Sequence, residues 1–229
     1  MTTLLNMGKV HNGVIGIQRT DEELVALAVT GDRDSFNQLV GRWERQIFAL
    51  AYRVIGREED ARDVCQETFL RAFRGISKFR GQAKFSSWLY RIALNLCRDF
   101  LRRDRRSGVL IPLDSEADEA LAEDPSESAE DHVVRRDLHR LIGRAMSALP
   151  EDQRTTIVLK EFHGLTFQAI ADLQGCPLST VKTRVYQGLN ALRHRLQDAG
   201  GEISVLGAGR SMTAAMVRGS RKVENKTDD

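Results

Sequence analysis

The stretch TFQAIADLQGCPLSTVKTRVY, residues 166–186, decides the fold of the second half of this chain. Thr166 is suited to cap a short helix, Gly175 to form a tight turn, and Ser179 to cap a second helix. The second helix has a predicted buried stripe at helical spacing, which consists of Val181, Val185, Leu189, Leu192 and Leu196. This order and spacing predict a helix-turn-helix over residues 166–187, whose second helix enters the major groove of DNA.

The outer face of that second helix is rich in hydrogen-bond donors. The candidate DNA-binding residues are Ser179, Thr180, Lys182, Thr183, Arg184, Tyr186 and Gln187. Hydroxyl, ammonium, guanidinium and amide groups contact phosphates and base edges in the major groove. The alternative is an ordinary helical hairpin with a solvated polar face, but such hairpins rarely combine this turn, this cap and this face.

The composition narrows the class of the protein. A chain of 229 residues with 41% hydrophobic residues can form one large domain or two small ones. The formal net charge is only +2, so the local distribution of charge, and not its total, must indicate a nucleic-acid partner. Neither an apolar run that could span a bilayer nor a cleavable export signal is visible. We therefore expect a cytoplasmic protein without membrane insertion.

The cysteines and histidines form no pattern of a metal or catalytic site. Cys65, Cys97 and Cys176 are far apart and odd in number, so neither a disulfide framework nor a zinc site is expected. The five histidines are scattered, namely His11, His132, His139, His163 and His194. No Gly-rich phosphate loop follows a strand, and no nucleophile lies in a recognisable arrangement. We expect no cofactor, no metal, no small-molecule substrate and no enzymatic activity.

The first half of the chain has the pattern of successive amphipathic helices from Asp21 onward. Thr20 and Glu23 form a capping-box pattern, and Gly31 and Gly56 are positioned to end helices. A further helix is predicted over residues 58–74. Its predicted buried side is Ala61, Val64, Cys65, Thr68, Phe69 and Phe73, and its outer side includes Asp60, Asp63, Glu67 and Arg71. No strand alternation is visible, so the sequence predicts an all-α fold.

Arginines and aromatic residues are concentrated around a helix predicted to begin at Ser86 and to end near Arg105. One face of it carries Arg91, Asn95, Arg98 and Arg102, with Phe79, Phe85, Trp88 and Tyr90 beside them. Aromatic faces next to cations and amides suit the stacking of unpaired bases and the neutralisation of phosphate. The alternative is that the aromatic residues belong to the core and that the arginines form a solvated face complementing the helix dipole.

Composition divides the chain into two small helical domains with connecting and terminal segments. The predicted segments are an N-terminal extension (1–20), a first domain (21–108), an acidic linker (109–131), a second domain (132–198) and a C-terminal tail (199–229). The linker carries nine Asp and Glu residues between Asp114 and Asp131 and no Lys or Arg, so it is expected to be flexible. The extension and the tail are also expected to be flexible, although an apolar patch over residues 212–217 leaves an ordered tail as an alternative.

Several motifs of this chain occur in the same order in the bacterial extracytoplasmic-function (ECF) sigma factors, the smallest group of the sigma-70 family. The motifs are GDRDSF (31–36), DARDVCQETF (60–69), FSSWLYRIALN (85–95), LPEDQR (149–154) and GCPLSTVK (175–182). They cover nearly all of residues 21–196, and over this length the chain resembles that family. The resemblance implies that the two helical domains are sigma region 2 and sigma region 4.

The resemblance also implies partners and residue roles. Region 2 would dock on the β′ clamp of core RNA polymerase through Asp60, Asp63, Gln66, Glu67 and Arg71, and region 4 would contact the β flap. The residues implied for the single-stranded −10 element are Phe79, Lys84, Trp88, Arg91, Asn95, Arg98 and Arg102, of which Phe79 and Asn95 would hold a flipped base. The candidate DNA-binding residues of the helix-turn-helix would read the −35 element as duplex. Inhibition by an anti-sigma factor, in a stress or envelope response, is a further implication.

Two features depart from the family or leave an alternative open. Gln187 and Gly188 stand where many members have Arg and Ala, and Gly188 costs about 1 kcal/mol of helix propensity. A stand-alone helix-turn-helix regulator, with residues 1–130 as its sensor or dimerisation domain, is the alternative function. Binding to a duplex operator without polymerase would favour that alternative. The acidic linker favours the sigma factor, in which it would occupy a basic nucleic-acid channel of the polymerase.

Overall fold

The computed structural model describes residues 19–107, 138 and 140–203, and within them it contains helices and loops but no strand. The elements are α1 (Asp21–Val29), α2 (Arg33–Ile55), α3 (Glu58–Gly75), a 3₁₀ turn (Ile76–Lys78), α4 (Phe85–Ser107), α5 (140–147), α6 (Glu151–Ile157), a π-helical turn (Val158–Phe162), α7 (Phe167–Gln174) and α8 (Leu178–Ile203). The predicted all-α fold is confirmed. The acidic linker, the N-terminal extension up to residue 18 and the tail from residue 204 lie outside the described residues.

The helix ends of the first domain follow the predicted caps. The backbone N–H of Thr20 donates to Glu23 Oε2 at 2.8 Å, and the N–H of Glu23 donates to Thr20 Oγ1 at 3.3 Å, which completes the capping box. Gly56 ends α2 in the left-handed conformation, with a φ of 93° that residues with a Cβ atom rarely adopt. These local signals fix where α1 begins and where α2 ends.

The first domain is built from α1 to α4, which pack around one apolar core. Helix α2 contacts the other three helices, and α3 also packs on α4. The fully buried apolar residues of this core are Leu24, Leu39, Ile47, Leu50, Ala51, Ala61, Ala72, Leu89, Ala93 and Cys97. Each leucine removed from water in this way contributes about 2 kcal/mol to folding before entropy is counted. The core thereby fixes the outward faces of α3 and α4.

The second domain contains α5 to α8. Thr166 caps α7 by accepting a hydrogen bond from the N–H of Ala169 at 3.1 Å, and Gly175 ends it with a φ of 63°. Helix α8 begins at Leu178, one residue before the predicted cap Ser179, because the carbonyl of Pro177 already accepts from the N–H groups of the first turn. The helix-turn-helix predicted over residues 166–187 is thus present. Helix α8 continues to Ile203, beyond the predicted domain limit at residue 198.

The two domains lie against each other at a contact that we call the domain interface. Its contacts include those of Arg53, Tyr90 and Arg91 of the first domain with Phe162, His163 and Asp172 of the second. The π-helical turn after α6 brings Phe162 and His163 to this position. In the part of the chain that the structure describes, no helix is both long enough and apolar enough to cross a membrane.

Candidate nucleic-acid interface

The outer face of α8 carries most of the donors predicted for duplex DNA. Five of the predicted residues are exposed, namely Ser179, Lys182, Thr183, Tyr186 and Gln187, while Thr180 is half-buried. The opposite face is buried at Val181, Val185, Leu192 and Leu196, as predicted, and Leu189 is partly buried. Tyr186 is 65% exposed although it is a large aromatic residue. This face is therefore free to approach a DNA groove from outside the domain.

Arg184 departs from the predicted outer face. Its guanidinium Nη2 donates to Asp152 Oδ2 at 2.5 Å, and Nη1 donates to Gln174 Oε1 at 2.9 Å. The side chain is only 24% exposed, because it lies in the angle between α6 and the end of α7. The structure groups Arg184 with the internal contacts of the helix-turn-helix and not with its outward donors.

Part of the predicted single-strand surface forms an aromatic cavity at the start of α4. The ring centroid of Phe79 lies 5.1 Å from that of Trp88 and 6.3 Å from that of Phe85. Phe79 and Trp88 border a cavity of about 430 Å³, whose rim includes Lys78, Arg80 and Arg91, whereas Phe85 is buried in the core. Apolar ring faces below a cationic rim suit a stacked base with its phosphate above it.

The other predicted −10 residues lie outside this cavity. Lys84, Asn95 and Arg102 are exposed, and Arg98 is half-buried. Arg98 and Arg102 border a second cavity of about 640 Å³ together with Pro150, Glu151 and Asp152 of the other domain. Arg91 Nη2 donates to the backbone carbonyl of Asp172 at 3.2 Å. In this arrangement the arginine face of α4 is thus turned partly toward α6 and α7.

The predicted polymerase-binding helix α3 borders an open groove of about 1040 Å³ between α2 and α3. The predicted residues Asp63 and Gln66 lie on its rim and are exposed. Its floor is apolar and is formed by Phe36, Val40, Phe48, Phe69, Leu70 and Phe73. An apolar floor with a charged rim is the composition of a protein-docking surface.

The prediction for Phe73 was wrong, and Leu70 was missed. Phe73 was placed on the buried side of α3, but it is 46% exposed, and Leu70 is 43% exposed. The groove stays open beside Phe73, whose ring makes an edge contact with that of Phe36 at 5.1 Å between centroids. The adjacent pair Phe69 and Leu70 was the available signal, because neighbouring residues on a helix point about 100° apart, so one of two large apolar neighbours tends to lie at the edge of the buried side.

The remaining residues of the predicted polymerase-binding set take part in ion pairs. Asp60 pairs with Arg57, which also reaches Asp104 of α4 at 3.1 Å. Glu67 accepts from Arg71 Nε at 2.7 Å, one helical turn along α3. These contacts tie Asp60 to the packing of α3 on α4, whereas Glu67 and Arg71 stay close to solvent.

Two of the three cysteines behave as small apolar residues. Cys65 and Cys97 are buried, and burial raises the pKa of each thiol to about 12. Such thiols remain protonated and are poor nucleophiles or metal ligands. Among the described residues, His, Cys, Asp and Glu form no cluster of three that could hold a metal ion.

The fold and these surfaces define a two-domain helical DNA-binding protein with an additional protein-docking groove. Family models match both domains: sigma-70 region 2 over residues 39–107 and sigma-70 region 4 over residues 139–192. The chain is 33% identical over 184 residues to the ECF RNA polymerase sigma-E factor of Haemophilus influenzae, covering 79% of this chain and 97% of that one. It is 35% identical over 191 residues to the RNA polymerase sigma-H factor of Pseudomonas aeruginosa, covering 79% and 95%.

A solved structure agrees with these sequence relatives. CnrH, in complex with the cytosolic domain of CnrY, matches with a TM-score of 0.57 and 26% identity, covering 78% of this chain and 97% of that one. The chain belongs to the ECF group of the sigma-70 family. It is therefore an alternative sigma factor, which binds core RNA polymerase and promoter DNA and directs transcription initiation.

Proposed function

We propose that the two domains read two elements of one promoter while the groove of the first domain holds the polymerase. Lys182, Thr183, Tyr186 and Gln187 contact the −35 element as duplex. Phe79 and Asn95 hold an unpaired base of the −10 element, with the nearby arginines on the phosphates. The observation that carries this proposal is the outward row of donors on α8, whose opposite face packs against the core.

In this proposal the protein works by promoter recognition and strand opening and catalyses no covalent reaction of its own. It acts in the cytoplasm, where polymerase and promoter are found. A partner protein holds it inactive until a stress or envelope signal arrives. The complex of CnrH with the cytosolic domain of CnrY supports such a partner, because a relative of the same fold there binds a second protein.

The decisive experiment is reconstitution with core polymerase, followed by transcription from a genomic fragment library. We expect a stable complex and transcripts that begin at a small set of related promoters, each with a −35 and a −10 element. Absence of both the complex and promoter-dependent transcripts would overturn the proposal. Sequence-specific binding to duplex DNA by the chain alone would instead identify a stand-alone regulator.

The apolar groove between α2 and α3 supplies much of the affinity for polymerase in this proposal. Replacing both Leu70 and Phe73 by alanine is expected to weaken core binding by about 100-fold, because two half-exposed apolar anchors together contribute on the order of 3 kcal/mol. The fold should change little, since both side chains already contact solvent. Titration of labelled chain with core polymerase measures the effect.

Leu178 provides the matched control for this groove. It is 37% exposed on α8 in the other domain, so Leu178→Ala removes a similar apolar surface away from the groove. Core affinity should stay within about twofold of the unmodified chain. Unchanged affinity in the Leu70→Ala, Phe73→Ala double variant would show that polymerase binds another face.

Asn95 is expected to act in strand opening and not in binding of the −35 element. Asn95→Ala should lower the amount of open complex about tenfold, because the amide can no longer bond an unpaired base. Permanganate reactivity of unpaired thymines in the −10 element measures opening. Asn190, which is also exposed but lies on α8, is the control, and Asn190→Ala should open promoters normally. Equal opening by both variants would contradict the role of Asn95.

A further inference from the structure

Arg184 lies on the recognition helix α8, yet its side chain is bound inside the second domain. One terminal nitrogen, Nη2, donates to Asp152 Oδ2 at 2.5 Å. The other, Nη1, donates to Gln174 Oε1 at 2.9 Å and to Cys176 Sγ at 3.5 Å. The acceptors belong to α6, to the last residue of α7 and to the turn that follows it. One guanidinium therefore joins every part of the helix-turn-helix to the helix that supports it.

The network continues from Gln174 into the core. Gln174 Nε2 donates to Thr156 Oγ1 at 2.9 Å. Thr156 is fully buried, and its hydroxyl donates to the backbone carbonyl of Asp152 at 2.5 Å. The chain of contacts thus begins at Asp152, passes through Arg184, Gln174 and Thr156, and returns to Asp152. A closed set of polar contacts of this kind selects one geometry over its neighbours.

The position of Gln174 connects this network to the orientation of the recognition helix α8. Gln174 ends α7, and Gly175 then reverses the chain in a left-handed conformation. Four residues later the exposed donors of α8 begin at Ser179. A guanidinium has a rigid planar fork, so its two bonded ends fix both the distance and the angle between α8 and α6. A small rotation of α8 would displace Lys182, Thr183 and Tyr186 together.

We propose that Arg184 is a positioning residue for −35 recognition and does not contact DNA phosphate. This inference rests on the proposed reading of the −35 element by α8. Arg184 and Asp152 together hold α8 at the angle that its outward donors require. Asp152 is 57% exposed, so the pair acts through orientation more than through electrostatic strength.

The two possible roles of Arg184 predict different effects of Asp152→Ala on DNA binding. If Arg184 positions the helix, Asp152→Ala should weaken binding as Arg184→Ala does, by about tenfold each. The double variant should then be no weaker than the weaker single variant. If Arg184 contacts a phosphate, removal of the nearby carboxylate would leave binding unchanged or tighten it. Arg184→Ala would then also lower the slope of log affinity against log salt by about 0.9.

The experiment measures affinity of the reconstituted holoenzyme for a promoter from the fragment library, with and without its −35 element, over a range of salt concentration. We expect Arg184→Ala and Asp152→Ala to weaken binding only to the fragment with the −35 element, with an unchanged salt slope. Lys182→Ala is the reference for a lost phosphate contact and should lower the slope by about 0.9. If an alanine variant unfolds, Arg184→Gln and Asp152→Asn replace it, because they keep part of the size and hydrogen bonding of the side chain. They should weaken promoter binding less than alanine does and leave the salt slope unchanged.

The outcomes of this experiment distinguish failure of the proposed −35 reading by α8 from failure of the positioning role of Arg184. If the unmodified holoenzyme does not distinguish the fragments with and without the −35 element, the proposed function of α8 is overturned, and the role of Arg184 with it. If it does distinguish them, but Asp152→Ala binds as well as the unmodified protein or Arg184→Ala lowers the salt slope, only the positioning role is overturned.

Discussion

Replacing Gly188 by valine is expected to lower the free energy of unfolding by about 3 kcal/mol. Gly188 lies in α8 where that helix crosses α6. A Cβ at this position would lie 2.6 Å from Ile157 Cδ1 and 3.3 Å from Gln153 Cβ. Ile157 is buried, so its methyl group can move only into occupied space. The close approach of two helices therefore favours a small residue at position 188, although helix propensity alone disfavours glycine there.

Alanine at the same position separates propensity from packing. Gly188→Ala gains about 1 kcal/mol of helix propensity, and displacement of the end of Ile157 costs a similar amount, so a net change below about 1 kcal/mol is expected. Gly41 is the matched control, because it lies exposed in α2 with no atom near its missing Cβ. Gly41→Ala should stabilise the chain by about 1 kcal/mol.

Urea unfolding followed by far-ultraviolet circular dichroism measures all three variants. Both tryptophans, Trp43 and Trp88, lie in the first domain, so their fluorescence should report a smaller effect of Gly188→Val than the helical signal does. An unfolding midpoint for Gly188→Val equal to that of the unmodified chain would contradict the close approach of α8 to α6.

Local chemistry explains which parts of the fold could be predicted from the sequence. The capping box at Thr20, the end of α2 at Gly56 and the turn at Gly175 each depend on a few adjacent residues, and all three are present. The buried stripe of α8 depends only on helical periodicity, and it is also present. Such features need no knowledge of what packs on the helix.

Features that depend on distant residues could not be predicted in this way. Periodicity placed Phe73 with the apolar side of α3, but the groove beside it is set by the distance to α2. Arg184 has the spacing of an outward residue, but Asp152, which is 32 positions earlier, draws it inward. The contact between Tyr90 and His163 joins residues 73 positions apart in different domains. The residues assigned to polymerase, −10 and −35 contacts remain predictions, although most of them are exposed.

Lowering the pH from 7 to 5 is expected to shift the equilibrium between closed and separated domains toward separation at the domain interface. His163 lies there with its ring 5.3 Å from that of Tyr90, and its Nδ1 is 3.1 Å from the Tyr90 hydroxyl. Its Nε2 is buried without a hydrogen-bond partner among the described residues. Burial, and secondarily the nearby charge of Arg53, lowers the pKa of His163 to about 4. A proton on this ring would thus be buried, and it would lie close to a second cation.

The sign of the effect follows from comparison of the two states. In the separated state His163 contacts water and has an ordinary pKa of about 6.5, so that state binds the proton more readily. The contribution of neutral His163 to the stability of the closed state is therefore fully present above pH 6.5, and it is lost as the pH falls toward 4. At pH 5 the loss is on the order of 2 kcal/mol, or about 30-fold in the equilibrium between closed and separated domains. Separation also releases Arg91 from the carbonyl of Asp172.

Two measurements test this expectation. The NMR titration of the His163 ring should give an apparent pKa above the closed-state value of about 4 and below the ordinary value of about 6.5, because the separated state binds the proton more readily. The radius of gyration from small-angle X-ray scattering should increase between pH 7 and pH 5. His163→Gln cannot take up the proton, so its radius of gyration should not change over this range. His194 is exposed on α8, and His194→Gln should keep the pH response of the unmodified chain. The same expansion in His163→Gln would show that a group other than His163 makes the domain interface sensitive to pH.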